Sequence, residues 1–207
     1  MEQLLTYGEY TIFAVMIFAS ILALAVGIEK ALLYSRLARS GREIFSKINV
    51  DLGTGNTSEL SKYVEADPRS VYARFASFIK ENYYAGENAL SYLMDGKMIE
   101  ERIFLEKRLV VLASLGNNAP FIGLLGTVFG IIKAFYSLGL GSIDGSSSEI
   151  VMKSIATALV ATAGGLLIAI PVVIANNYFN KKLKVIMQNL EQLSKSALAG
   201  LVMKGGR

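Results

Sequence analysis

The chain has no cysteine, which removes disulfides and thiolate metal sites. It has no histidine. That excludes the commonest general base and metal ligand, and the one unperturbed side chain that titrates near neutrality. Proton chemistry must run on carboxylates, hydroxyls, lysines or water, or on a group from another molecule. Charge is also scarce, with 18% charged residues against 53% hydrophobic ones in 207 residues. A soluble domain carries more charge than this. The net charge of +4 is read by location, and no nucleic-acid partner is expected.

The apolar residues gather in three long runs, as in a multi-pass membrane protein. The first, Tyr10 to Ile28, holds no charge. A cleaved signal peptide is the competing reading, with Ala23-Leu24-Ala25 as the cleavage site. The leader before it carries Glu2 and Glu9 and no basic residue, the wrong sign for a signal, so a retained helix is expected. The second run extends from Leu109 to Leu138. The third covers Ile155 to Phe179, interrupted by Gly164-Gly165 and Pro171.

Lysine and arginine set the orientation. Thirteen lie between Glu29 and Leu109, and six follow Phe179. The N-terminus has none, and the hairpin between the second and third runs has only Lys153. The positive-inside rule places the N-terminus outside and the C-terminus in the cytoplasm. The expected organisation has a periplasmic N-terminus and first span at 1–29, and a cytoplasmic helical region at 30–108. The second span is 109–138, a short periplasmic hairpin 139–154, the third span 155–179, and a cytoplasmic C-terminal helix 180–207. The fold class is an all-α membrane protein with three transmembrane helices and long cytoplasmic helical extensions.

The 30–108 region reads as helices over Ala31–Ile48, a break at 49–58, and a restart at Glu59. Asp67-Pro68 reads as N-cap and first-turn proline of a helix through Tyr84. Asn88 opens a further helix running toward the second span. The interleaved charges, such as Glu43 and Lys47, read as solvated helix faces. No nucleophile–base, paired-carboxylate or nucleotide-loop pattern stands out, since Gly53-Thr54-Gly55 lacks the rest of any such fingerprint. No enzymatic activity and no cofactor are expected.

Small residues at 116, 119, 123, 126, 130 and 134 form a stripe along the second span. Ser154, Ala158, Ala161, Gly165 and Ala169 form another on the third. Such stripes let helix backbones approach closely in lipid. Gly123, Gly126, Gly130, Gly164 and Gly165 are the candidate packing residues. Pro120 and Pro171 free carbonyls for a kink or a polar rim.

Thr127, Thr157 and Thr162 sit inside these spans. Two readings stand: each hydroxyl bonds a carbonyl of its own helix, or the hydroxyls line a hydrated path. Lys133 is the one charge well inside a span. It either snorkels outward or marks an outer pore, with Asp144 and Glu149 as its partners. By these span limits no Asp or Glu lies within the membrane.

Two segments carry a resemblance. Ala119-Pro120-Phe121-Ile122-Gly123-Leu124-Leu125-Gly126-Thr127-Val128-Phe129-Gly130-Ile131 resembles the second-span signature of the ExbB/TolQ/MotA proton-channel family. Ile155 to Phe179, containing Thr157, Thr162, Gly164-Gly165 and Pro171, resembles its third span. The resemblance is strong over about 109–180 and architectural before that. It implies a homopentameric ring in the bacterial inner membrane around a one-span ExbD/TolR-like partner that carries the protonatable aspartate. A TonB/TolA-like protein is implied further out, and the lipid bilayer surrounds the ring. Thr127 and Thr162 fall on the family's pore-lining threonines. Thr157 falls where many ExbB and TolQ chains have glutamate. The short N-terminal part resembles ExbB and TolQ more than MotA. The alternatives are a non-conducting scaffold that recruits cytoplasmic proteins and a motility-type stator subunit.

Overall fold

The computed structural model describes residues 2–139 and 146–205. It is all-helical: α1 (Glu2–Gly53), α2 (Leu60–Ala66), α3 (Val71–Asn82), α4 (Glu87–Glu106), α5 (Leu109–Gly139) and α6 (Ser146–Gly205). Among the described residues, three stretches are long and apolar enough to cross a membrane: Leu5–Leu37, Leu109–Gly139 and Glu149–Lys204. The protein is therefore a membrane protein with three apolar helices.

Several element limits differ from the sequence expectation. The break expected from residue 49 begins later, because α1 holds its helix through Gly53. Asp67 does not cap α3. The following Pro68 forces it out of the helical region, to φ −146 and ψ 85, where it closes α2. Its carboxylate accepts from the Arg69 N–H at 3.2 Å. Ser70 caps α3 instead, its hydroxyl accepting from the Ala73 N–H. The helix opened near Asn88 does not continue into the second span. Lys107 is extended and Arg108 is left-handed at φ 67, a conformation that ends a run of right-handed helix. Arg108 is held by an ion pair to Glu29. The region assigned to a hairpin is helical from Ser146 onward, while 140–145 lie outside the described residues.

The chain divides into two compact units. One comprises the described residues of Met1–Glu29 and Arg108–Tyr178, the other Lys30–Lys107 and Phe179–Arg207.

The second unit has a conventional core. Ile48, Leu52, Leu60, Phe75, Ile79, Leu90, Met94, Leu105, Leu190, Leu193 and Ala197 are fully enclosed. Burial of such side chains contributes roughly 1.5–3 kcal/mol each. Polar groups inside it are mostly paired. Glu101 is buried and takes both oxygens to Arg74, at 2.5 and 3.2 Å, with Lys97 at 3.4 Å. The buried Lys30 ammonium donates to the Leu105 carbonyl at 3.0 Å, a cation at the carbonyl end of α4, where the helix dipole favours it. Tyr63 donates to Asp51 at 2.7 Å. Burial, with that hydrogen bond and the Asp51 charge, pushes its phenol up to about 12. Gly55, at φ 72, lies against the backbone of Gly200, and the Lys204 ammonium reaches its carbonyl. The end of α6 thereby clamps the end of α1.

Candidate functional site in the three-helix unit

The first unit is built on glycine contacts. The buried residues of α5 are Leu109, Leu112, Gly116, Ala119, Gly123, Gly126, Gly130 and Ala134. They recur in steps of three and four, which brings them to one face of a helix. On α6, Ser154, Ala158, Ala161, Gly165 and Ala169 are buried. These two faces meet backbone to backbone. A methyl group on Gly165 would stand 2.7 Å from the Ala119 carbonyl oxygen, and one on Gly123 would stand 2.8 Å from that of Ala161. Further along, Gly126 and Gly130 receive the methyl groups of Ala161 and Ala158. Both prolines, Pro120 and Pro171, lie inside continuous helices. Neither has an N–H to offer, so each leaves the carbonyl four residues earlier without its helical donor.

α1 packs along one side of this seam. A methyl on Gly164 would meet Met16, and one on Gly126 would meet Ile12. Gly8 faces the ring of Phe129. Next to it, the Lys133 ammonium donates to Glu9 at 2.8 Å. Lys133 thus pairs with α1, and neither Glu149 nor the surface holds it; Asp144 lies outside the described residues. The stretch of α1 that is long and apolar enough to cross a membrane is Leu5–Leu37, and Glu9 lies near its start.

The threonines take different positions. Thr127 donates to the Leu124 carbonyl at 2.7 Å. Thr157 donates to the Lys153 carbonyl at 3.0 Å. Thr162 reaches across the seam and donates to the Gly123 carbonyl of α5 at 3.2 Å. At about 100° per residue, Thr127 is rotated about 40° from Gly123, away from the edge that faces α1. Thr162 lies on the matching edge of α6. The two therefore flank the same side of the seam, the side opposite α1. Thr157 is about 140° from Thr162 around α6. It shares the edge on which Gly164 meets Met16.

A hydroxyl that donates its proton to a carbonyl still offers lone pairs as acceptors. The α5–α6 seam is thus a close-packed wall with two fixed acceptors along one side and no charge among them. Such a surface receives the O–H of a neutral acid or the proton of a hydronium, and it has no base strong enough to keep one.

The family model described as the MotA/TolQ/ExbB proton channel family matches residues 69–192. The chain belongs to this family. The biopolymer transport protein ExbB of Neisseria meningitidis is 30% identical, covering 88% of this chain and 87% of the relative. An ExbB-like biopolymer transport protein of Helicobacter pylori is 45% identical over 40% of this chain. That match spans only 54% of the relative's own length. The Tol-Pal system protein TolQ of Pseudomonas aeruginosa is 42% identical over 40% of this chain and 35% of its own length. The matched residues include α5 and α6 through Gln192.

Sequence reasoning missed Glu9. Its signal was weak but present: an acidic residue one position before the uncharged run, in a leader with no basic residue to pair with.

Proposed function

We propose that this chain is the channel-forming subunit of an ExbB/TolQ-type inner-membrane motor driven by the proton motive force. The observation that carries the reading is the pair Thr127 and Thr162 on one side of a glycine-packed α5–α6 seam, in a chain of a proton-channel family. The N-terminus is periplasmic, the 30–108 region and the tail after 179 are cytoplasmic, and 139–154 turns on the periplasmic side. Five copies form a ring whose α5–α6 walls face a lumen, and α1 faces outward. A one-span ExbD/TolR-like partner stands inside and carries an aspartate.

The mechanism follows from solvation. An ionised carboxylate is costly against a poorly hydrated wall, and a protonated one is not. An aspartate loaded from the periplasm can face the wall and donate its O–H to Thr127 or Thr162. After release to the cytoplasm it must turn back to water or to a cation. Proton loading therefore biases the partner's rotation against the ring. The driving force is about 2.3 kcal/mol per charge for each 100 mV. A TonB/TolA-like protein transmits the motion to an outer-membrane client.

Purification from native membranes tests this reading. Native mass measurement is expected to give five copies together with a one-span protein bearing an intramembrane aspartate. In liposomes an imposed potential is expected to drive proton uptake with that protein present and none without it. A complex that recruits cytoplasmic proteins and conducts nothing would instead establish the scaffold alternative.

A further inference from the structure

The Glu9–Lys133 pair has no part in the mechanism above. Its ammonium and carboxylate are 2.8 Å apart, with Lys133 side-chain exposure of 21% and Glu9 of 12%. Only one carboxylate oxygen is used. The other, Oε1, is enclosed and has no hydrogen-bond partner. A carboxylate sited only to stabilise the fold would be expected to satisfy both oxygens. Glu9 is placed firmly all the same, because its neighbours Gly8 and Ile12 rest on Phe129 and Gly126. Among the described residues near this end, Glu149 and Lys153 are exposed.

Lys133 lies on α5 less than two turns from Thr127, toward the end that the orientation above makes periplasmic. An unpaired ammonium there would repel any cation approaching the wall from the periplasmic water, by Coulomb repulsion that external salt can screen. Glu9 sits on the opposite side of the ammonium and cancels its field. The geometry points to Glu9 as a residue that tunes cation entry: it neutralises Lys133 so that protons reach the α5–α6 wall. This inference rests on the proton-channel reading. Glu9 and Lys133 are positioning residues, since neither stands among the acceptors on the seam.

Two substitutions that both break the pair separate this role from a purely structural one. Glu9→Gln leaves the cation, while Lys133→Met removes it. Proton uptake is measured in liposomes holding the complex with its co-purified one-span protein, at low and at high external salt. Glu9→Gln is expected to lower uptake about tenfold at low salt and to recover toward the wild-type rate at high salt, as screening shortens the reach of Lys133. Lys133→Met is expected to conduct at or above the wild-type rate. The double variant is expected to recover the rate that Glu9→Gln loses. Equal losses in both single variants, or a double variant as poor as Glu9→Gln, would make the pair a structural staple and overturn the inference. So would a Glu9→Gln variant that conducts normally. A silent wild-type complex fails differently: it removes the channel reading and this inference with it.

Discussion

Replacing Gly123 and Gly165 together by alanine is expected to separate α5 from α6 and abolish proton conduction. The two added methyl groups would meet carbonyl oxygens of the facing backbone at 2.8 and 2.7 Å. Backbone has no rotamer with which to retreat, so one helix must move. Overpacking of this kind costs about 1–3 kcal/mol per site. Here the same movement also breaks the Thr162 hydrogen bond to the Gly123 carbonyl. The effect should appear as a fall in the melting temperature of the solubilised complex and as loss of intact complex on native gels. Gly164→Ala is the control. Its methyl group would meet only the terminal carbon of Met16, a flexible side chain able to swing aside. It is expected to behave as wild type within about 0.5 kcal/mol. Equal damage from Gly164→Ala would mean that tight α5–α6 approach is not what these glycines provide.

Gly200→Ala is expected to open the clamp between the ends of α6 and α1. The methyl group would fall onto the Leu52 carbonyl oxygen and stand 2.9 Å from the Gly55 nitrogen. Both contacts are to backbone, one of them in a turn held at positive φ. A loss of about 3 kcal/mol is expected, read as faster proteolysis near residues 53–58 and a lower melting temperature. Gly96→Ala makes the comparison sharp, since a methyl there meets nothing within 4 Å. In mid-helix that change should stabilise α4 by about 1 kcal/mol. A Gly200→Ala protein with wild-type resistance would show that α6 does not brace the end of α1.

The same contrast explains what was legible in the sequence. The small stripe of α5 shows because close packing in lipid needs small residues in steps of three and four, and the buried positions of α5 follow that stripe. The three apolar runs show for the same reason of local composition. Gly200 looked unremarkable, because its requirement comes from Leu52 and Gly55, far away in the chain. Asp67-Pro68 misled because the proline constrains the residue before it more strongly than the aspartate caps the helix after it. Glu9 and Lys133 are 124 residues apart, and nothing local announces their pairing. The threonines were legible as polar residues in apolar spans. Periodicity alone separates Thr157 from Thr162 by rotation around α6, but only the packing of α1 says which side each takes. Their part in conduction is an inference from that side and from the family.

The central claim is that the hydroxyls of Thr127 and Thr162 form the proton-accepting side of the seam. The most direct measurement is potential-driven proton uptake by liposomes containing the complex with its one-span protein. It compares wild type with Thr127→Val/Thr162→Val and Thr127→Ser/Thr162→Ser. Valine keeps the branched shape and removes the acceptor, while serine keeps the acceptor. The account predicts at least a hundredfold loss for the valine pair with the complex still intact, and near wild-type uptake for the serine pair. Full uptake by an intact valine variant would contradict it.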